Sequence, residues 1–199
     1  MRKLLNVSSS PHVRCGVSTK NLMYDVAIAM LPATIWGVMQ FGIYSLIVVV
    51  ATVLSCVLSE YLFETLMHKP VTISDGSALV TGMILGLNMP PAIPLWMPIL
   101  GGVFAIIVVK QLYGGLGQNW MNPALAARCF MLISFAQAMT KFTDPVTDAV
   151  ASATPLAAIK AGDTYDLAAM FIGKIPGTIG EVSVIALLIG AAYLLVKKV

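Results

Sequence analysis

Long apolar stretches separated by short polar knots set the rhythm of this chain. Apolar residues run almost unbroken over 22–41 and again over 43–66, with Gly42 between them. Each stretch reaches the roughly 20 residues that a helix needs to cross a bilayer core. His68-Lys69-Pro70 closes the second. A third apolar stretch, 77–89, is cut short by Pro90-Pro91 and holds Gly82 and Gly86. So short a helix at membrane depth is tolerated where other protein or a cavity satisfies its backbone. The fourth stretch, 95–112, is continuous, with Lys110 near its end. The fifth, 123–139, opens with Asn122 as its expected cap and Pro123 in its first turn. Arg128 lies inside it and is expected to face protein, because a lipid-facing charge is costly. The sixth, 182–196, is closed by Lys197-Lys198.

The pattern predicts an all-α integral membrane protein. Residues 1–20 form a cytoplasmic tail and 21–140 five membrane segments, the third short or broken. Residues 141–181 form an external connection and 182–199 a sixth segment. The polar start has neither the apolar core nor the cleavage site of a signal peptide. The connection is rich in Asp, Pro and Gly, and is too long for a plain loop, which points to function.

Composition sharpens the class. The chain has 199 residues, of which 58% are hydrophobic and 11% charged. An ordinary soluble domain carries about 25% charged residues. No charge lies between Asp25 and Glu60, or between Asp75 and Lys110. A soluble enzyme, a disordered chain and a disulfide scaffold are excluded. The net charge of +3 reports topology rather than a nucleic-acid partner. With the N-terminus inside, Arg2, Lys3, Arg14, Lys20, Lys69, Lys110, Lys197 and Lys198 fall on or near the cytoplasmic side. Six crossings are needed to keep Lys197-Lys198 there. Asp25, Glu60 and Glu64 then fall near membrane boundaries, and no cluster of intramembrane carboxylates stands out. Cys15, Cys56 and Cys129 have no metal spacing, and the two in apolar stretches are expected to be buried.

Candidate chemistry is sparse. His12 and His68 sit in polar segments, and there is no H-E-x-x-H, P-loop or G-x-S-x-G. Gly114-Gly115-Leu116-Gly117 follows a helix rather than a strand, which fails the dinucleotide test. Asp75-Gly76-Ser77 reads as a turn and helix cap, or as a ligand-facing helix start. Asp148-Ala149-Val150-Ala151-Ser152-Ala153-Thr154-Pro155-Leu156 is a run of small residues ending in an open hydroxyl. Such a run lets a bulky group approach Thr154. A plain helix start, with Thr154 as cap and Pro155 at the first position, fits the local pattern as well.

That stretch resembles the flavin-attachment motif, Asp-x-x-Ser/Thr-Gly-Ala-Thr, of a membrane family. The family comprises the D subunits of Rnf ion-translocating electron-transport complexes and the B subunits of sodium-pumping NADH:quinone reductases. Asp148, Ala153 and Thr154 match, while Ala151 and Ser152 depart from it but stay small. Two further segments are similar to the family's glycine turn with its Asn-Pro-Ala-Leu-Ala helix start and to its Asp-Gly-Ser/Thr segment. They are Gly114-Gly115-Leu116-Gly117-Gln118-Asn119-Trp120-Met121-Asn122-Pro123-Ala124-Leu125-Ala126-Ala127-Arg128 and Ser74-Asp75-Gly76-Ser77-Ala78-Leu79-Val80-Thr81-Gly82. Thr154-Pro155-Leu156 looks more like the Rnf form.

The resemblance implies a urea-transporter-like fold of two inverted five-helix repeats, with the first and the start of the second present here, so that the chain reads as truncated. It implies FMN joined by a phosphoester to Thr154, with Asp148, Ser152, Ala153, Pro155 and Leu156 around it. It also implies a second, non-covalent flavin (riboflavin), for which the helix starts at Asp75, Gly76, Ser77 and at Asn122, Pro123 are the candidates. The expected activity is that of a subunit of an ion-pumping ferredoxin:NAD oxidoreductase, not catalytic alone, in a bacterial or archaeal plasma membrane. Expected partners are the other Rnf subunits, a flavin transferase and the bilayer. A urea-transporter-type channel, or a plain membrane anchor, would leave the Thr154 motif unexplained.

Overall fold

The computed structural model describes residues 18–143, 150–151, 160 and 167–199. Its first two helices, α1 (Thr19–Phe41, 23 residues) and α2 (Ile43–Leu66, 24 residues), are long and apolar enough to cross a membrane. Gly42, at φ 82°, turns the chain between them, a conformation that glycine adopts without steric cost. Their burial is inverted relative to a helix in water. On α2 the inward residues include Ser45, Thr52, Ser55, Ser59, Glu60 and Glu64, while Val50, Leu54, Leu58 and Leu62 point outward. A helix in water hides its large apolar side chains. Turning them out and keeping small and polar groups for helix contacts is the arrangement of a membrane protein. Two of the inward hydroxyls donate to carbonyl oxygens, Thr52 to Val48 at 2.7 Å and Ser55 to Ile99 at 2.8 Å, whereas the Ser45 hydroxyl is buried without a partner among the described residues.

A 3-10 turn (Ile73–Asp75) leads into the short α3 (Ser77–Leu87, 11 residues). At 1.5 Å per residue α3 spans about 16 Å, half of a bilayer core of about 30 Å. Gly82 and Gly86 sit one turn apart and lie flat on α2. A Cβ at Gly82 would come within 2.6 Å of Val53 Cα, and one at Gly86 within 3.0 Å of Val49 Cα. This is close small-residue packing of the kind that joins helices where lipid removes the hydrophobic drive. The end of α3 is finished by a distant piece of chain. Gly180 N–H donates to the Leu87 carbonyl at 2.8 Å and Ile179 N–H to the Met89 carbonyl at 3.1 Å. Thr178, Ile179, Val182 and Ser183 are buried there. The short helix is therefore closed by protein backbone.

Next come α4 (Trp96–Val103), continued without a break by a π-helical stretch (Phe104–Gln111), then α5 (Pro123–Ser134) and the one-turn α6 (Ala136–Met139). Asn122 caps α5 as expected, accepting from the Ala124 and Leu125 amides, with Pro123 in the first turn. The apolar run continues to Met139, but α5 stops at Ser134 because Phe135 takes φ −132°, ψ 46°. Strands β1 (Phe142–Thr143) and β2 (Val150–Ala151) pair antiparallel, Phe142 opposite Ala151. Last come α7 (Leu167–Ile172) and α8 (Val184–Lys197). α8 runs antiparallel to α1. Gly190 meets the backbone of Ala29, Tyr193 Oη donates to Asp25 Oδ1 at 2.8 Å, and Lys197 Nζ lies 3.8 Å from the same oxygen. The core, built on Val48, Leu85, Met89, Ile93, Ala127, Met131 and Ile179, lies where α2, α3, α4 and α5 converge.

Candidate functional site

Two features stand out at the end of the bundle where α3 begins. One is a polar network inside the protein. Glu60 and Glu64 are one turn apart on α2, so they share a face. The π-helical stretch supplies the rest, its wide turns burying three consecutive residues, Val109, Lys110 and Gln111. Glu60 is 0% exposed, Lys110 1% and Glu64 2%. Lys110 Nζ donates to Glu60 Oε1 and to Ser77 Oγ, each at 2.5 Å. The Ser77 hydroxyl in turn donates to Asp75 Oδ1 at 2.6 Å, and the Ser77 amide to the same oxygen at 2.8 Å. Gln111 Nε2 bridges the two glutamates, at 2.8 Å from Glu60 Oε1 and 3.2 Å from Glu64 Oε1. Glu64 also accepts from the Thr72 amide at 2.9 Å and from the Thr72 hydroxyl. Among the described residues, the donors to Glu64 are all neutral, and Glu60 Oε2 is buried with no hydrogen-bond partner.

Sequence reasoning put Glu60 and Glu64 near membrane boundaries and saw no carboxylate cluster. The structure buries both inside the protein and brings Asp75 to them through Ser77 and Lys110. The signal was available in the i, i+4 spacing of two acids within an apolar helix, and in a lysine closing another apolar run.

The other feature is a cavity of about 500 Å³ beside the start of α5. Phe104, Val108 and Val109 of the π-helical stretch form one wall, Leu125, Ala126 and Cys129 of α5 another, and Tyr113, Trp120 and Asn122 the rim. The Tyr113 and Trp120 ring centres are 6.1 Å apart. Gly114, Gly115 and Gly117 all have positive φ, which lets the connection fold back tightly enough to bring Trp120 towards Tyr113. Asn119, just before Trp120 and outside the cavity lining, has its Oδ1 buried without a donor among the described residues. Cys129 is exposed in this wall, contrary to its expected burial, whereas Cys56 is buried as expected. The cavity's size and apolar lining with a few polar groups are those of a small-molecule site.

The sequence-predicted residues divide. Asn122 lines the cavity, while Pro123, next in the chain, opens α5 and is not part of the lining. Asp75, Gly76 and Ser77 belong to the polar network, where Asp75 already occupies the amide and hydroxyl of Ser77. Asp148, Ser152, Ala153, Thr154, Pro155 and Leu156 lie outside the described residues. Arg128 faces protein as expected, donating from Nη1 to Asn88 Oδ1 at 2.6 Å. No group of three or more His, Cys, Asp or Glu suited to a metal ion occurs among the described residues.

Comparison of the sequence with known proteins gives a family match. Residues 6–199 match the NQR2, RnfD, RnfE family. The chain is similar to the D subunit of the Na(+)-translocating ferredoxin:NAD(+) oxidoreductase complex of Acetobacterium woodii, 47% identical over 98% of this chain and 63% of that protein. It is similar to the D subunit of the proton-translocating ferredoxin:NAD(+) oxidoreductase complex of Clostridium ljungdahlii, 40% identical over 99% of this chain and 64% of that protein. It is also similar to the D subunit of an ion-translocating oxidoreductase complex of Rhodobacter capsulatus, 31% identical over 96% of this chain and 63% of that protein. The chain spans less than two thirds of the length of these relatives.

Proposed function

The chain belongs to the NQR2, RnfD, RnfE family, and from that premise we propose that it is the flavin-bearing membrane subunit of an ion-pumping ferredoxin:NAD oxidoreductase complex. The observation that carries this reading is the aromatic-rimmed cavity at the Asn122–Pro123 helix start. Its residues suit a flavin. Tyr113 and Trp120 offer ring faces, Asn122 adds a polar group, and the apolar wall of Phe104, Val108 and Leu125 suits an isoalloxazine ring. A flavin bound there supplies the electron chemistry, while the protein supplies position and electrostatics. The cavity would take the non-covalent riboflavin, and the Thr154 hydroxyl would carry FMN as a phosphoester. An exported flavin transferase would load it. Asp148, Ser152, Ala153, Pro155 and Leu156 would flank that attachment point. The protein would pass electrons between the two across the membrane.

A multi-pass arrangement with a cytoplasmic N-terminus and an external 141–181 connection is part of the proposal. So are the inverted-repeat, urea-transporter-like fold and assembly with the other Rnf-type subunits. The lysine bias and the meeting of Asp25 with Lys197 support keeping both helix ends on one side.

Intact-mass measurement of the full-length chain, co-expressed with a flavin transferase, tests the reading. The expected result is an added mass of one FMN less water, mapped to the peptide containing Thr154 and lost in Thr154→Val. A polypeptide of bare mass in the presence of active transferase overturns it.

A further inference from the structure

The two buried glutamates and one buried lysine do not balance. Glu60 and Glu64 together bring two carboxylates, both at most 2% exposed, and Lys110 is the only ammonium within ion-pair distance of either among the described residues. Lys69 does not make up the difference. It is exposed, and its Nζ points to the Gln111 carbonyl at 3.5 Å and over the Phe63 ring. Burying an uncompensated charge costs several kcal/mol even after relaxation, so a site built this way is completed by a positive charge. An oxygen is present to receive one. Glu60 Oε2 is buried and has no partner among the described residues, whereas Oε1 of the same carboxylate takes both Lys110 and Gln111. Because Gln111 Nε2 touches Oε1 of both glutamates, those two oxygens lie no farther apart than the two bonds laid end to end.

We propose that the Glu60–Glu64 pair takes up one monovalent cation, a proton or a sodium ion, with Glu60 Oε2 as its receiving atom. Lys110 holds the pair at a net charge of minus one. One cation then brings the two glutamates and Lys110 to neutrality, and a sodium ion entering the proton-loaded site releases one proton. The groups facing the pair are Cys56 of α2, Asp75 of the 3-10 turn and Lys110 of the π-helical stretch, with Lys69 at the rim. α3 and α4 carry no titratable side chain. On α1, Lys20 lies over the Tyr24 ring and Asp25 is engaged by Tyr193 and Lys197. The inference rests on the network alone and stands whether or not the cavity holds a flavin.

Infrared difference spectroscopy of the full-length protein in its purified complex tests it, comparing sodium chloride with choline chloride at fixed pH and then a pH titration without sodium. A protonated-carboxyl band that disappears on adding sodium, with one proton released per sodium bound, supports the proposal as a sodium site. A band indifferent to sodium and lost on raising pH supports it as a proton site. Either band is lost in Glu60→Gln, and Glu64→Gln shifts or removes it, so one folded variant suffices. A wild-type spectrum with neither a protonated-carboxyl band nor a sodium-dependent carboxylate change overturns the proposal, as does a band that both variants retain.

Discussion

Lys110 shows how much of the bundle rests on single side chains. It is 1% exposed, and its ammonium group joins α2 to α3 through Glu60 and Ser77. Removing one member of a buried ion pair costs about 3–5 kcal/mol because the other charge stays behind, whereas removing both can be nearly neutral. Lys110→Met is therefore expected to lower the thermal midpoint in detergent far more than the Glu60→Leu/Lys110→Met double variant does. Equal losses in the two would show that the pair is not coupled. Asn122 acts more locally. It caps α5 through two amides, so Asn122→Ala is expected to cost about 1 kcal/mol and to show as early fraying of α5 in hydrogen exchange.

At the scale of elements, α3 is held by what it lacks. Replacing a helical glycine by alanine improves helix propensity by about 0.8–1.0 kcal/mol. At Gly82 that gain loses to sterics, because the new Cβ would meet Val53 backbone at 2.6 Å, and overpacking costs about 1–3 kcal/mol. At Gly101 the nearest atom is the Met131 Cγ at 3.4 Å, part of a flexible side chain. Gly82→Ala is thus expected to lower the detergent thermal midpoint and Gly101→Ala to leave it level or raise it. The reverse order would remove the close α2–α3 contact from the account. The π-helical stretch is the element that the sequence pattern left unseen. Residues 95–112 read as one regular apolar helix, because hydrophobic periodicity cannot separate a widened turn from an ordinary one when nearly every position is apolar.

For the whole molecule, the segment running into α8 binds together parts far apart in sequence. Ile179 and Gly180 donate to carbonyls at the end of α3, although neither lies in a helix. Their amides are expected to exchange with deuterium as slowly as those of core helices, measured by mass spectrometry on peptides covering residues 176–183. Fast exchange would mean that the end of α3 opens freely. α8 itself returns to α1, with Tyr193 and Lys197 both at Asp25. The Lys197 side chain is 51% exposed, so that ion pair contributes little, and the α1–α8 contact rests on the close approach of Gly190 to Ala29.

The sequence by itself determined the helical class, the long α1 and α2, the breaks at Gly42 and Asn122–Pro123, and the family. These follow from residue type and spacing along one chain: apolar run length, cap chemistry and short motifs, all of which are local. It also determined that α3 is too short to stand alone and that Arg128 faces protein. Only the tertiary structure decided what finishes α3, which wall Cys129 joins, and that Glu60, Glu64, Asp75 and Lys110 share one buried network. Those partners lie up to 50 positions apart for Glu60 and Lys110. A charge's neighbours across that distance depend on how helices pack, and nothing in the spacing of residues along the chain records it.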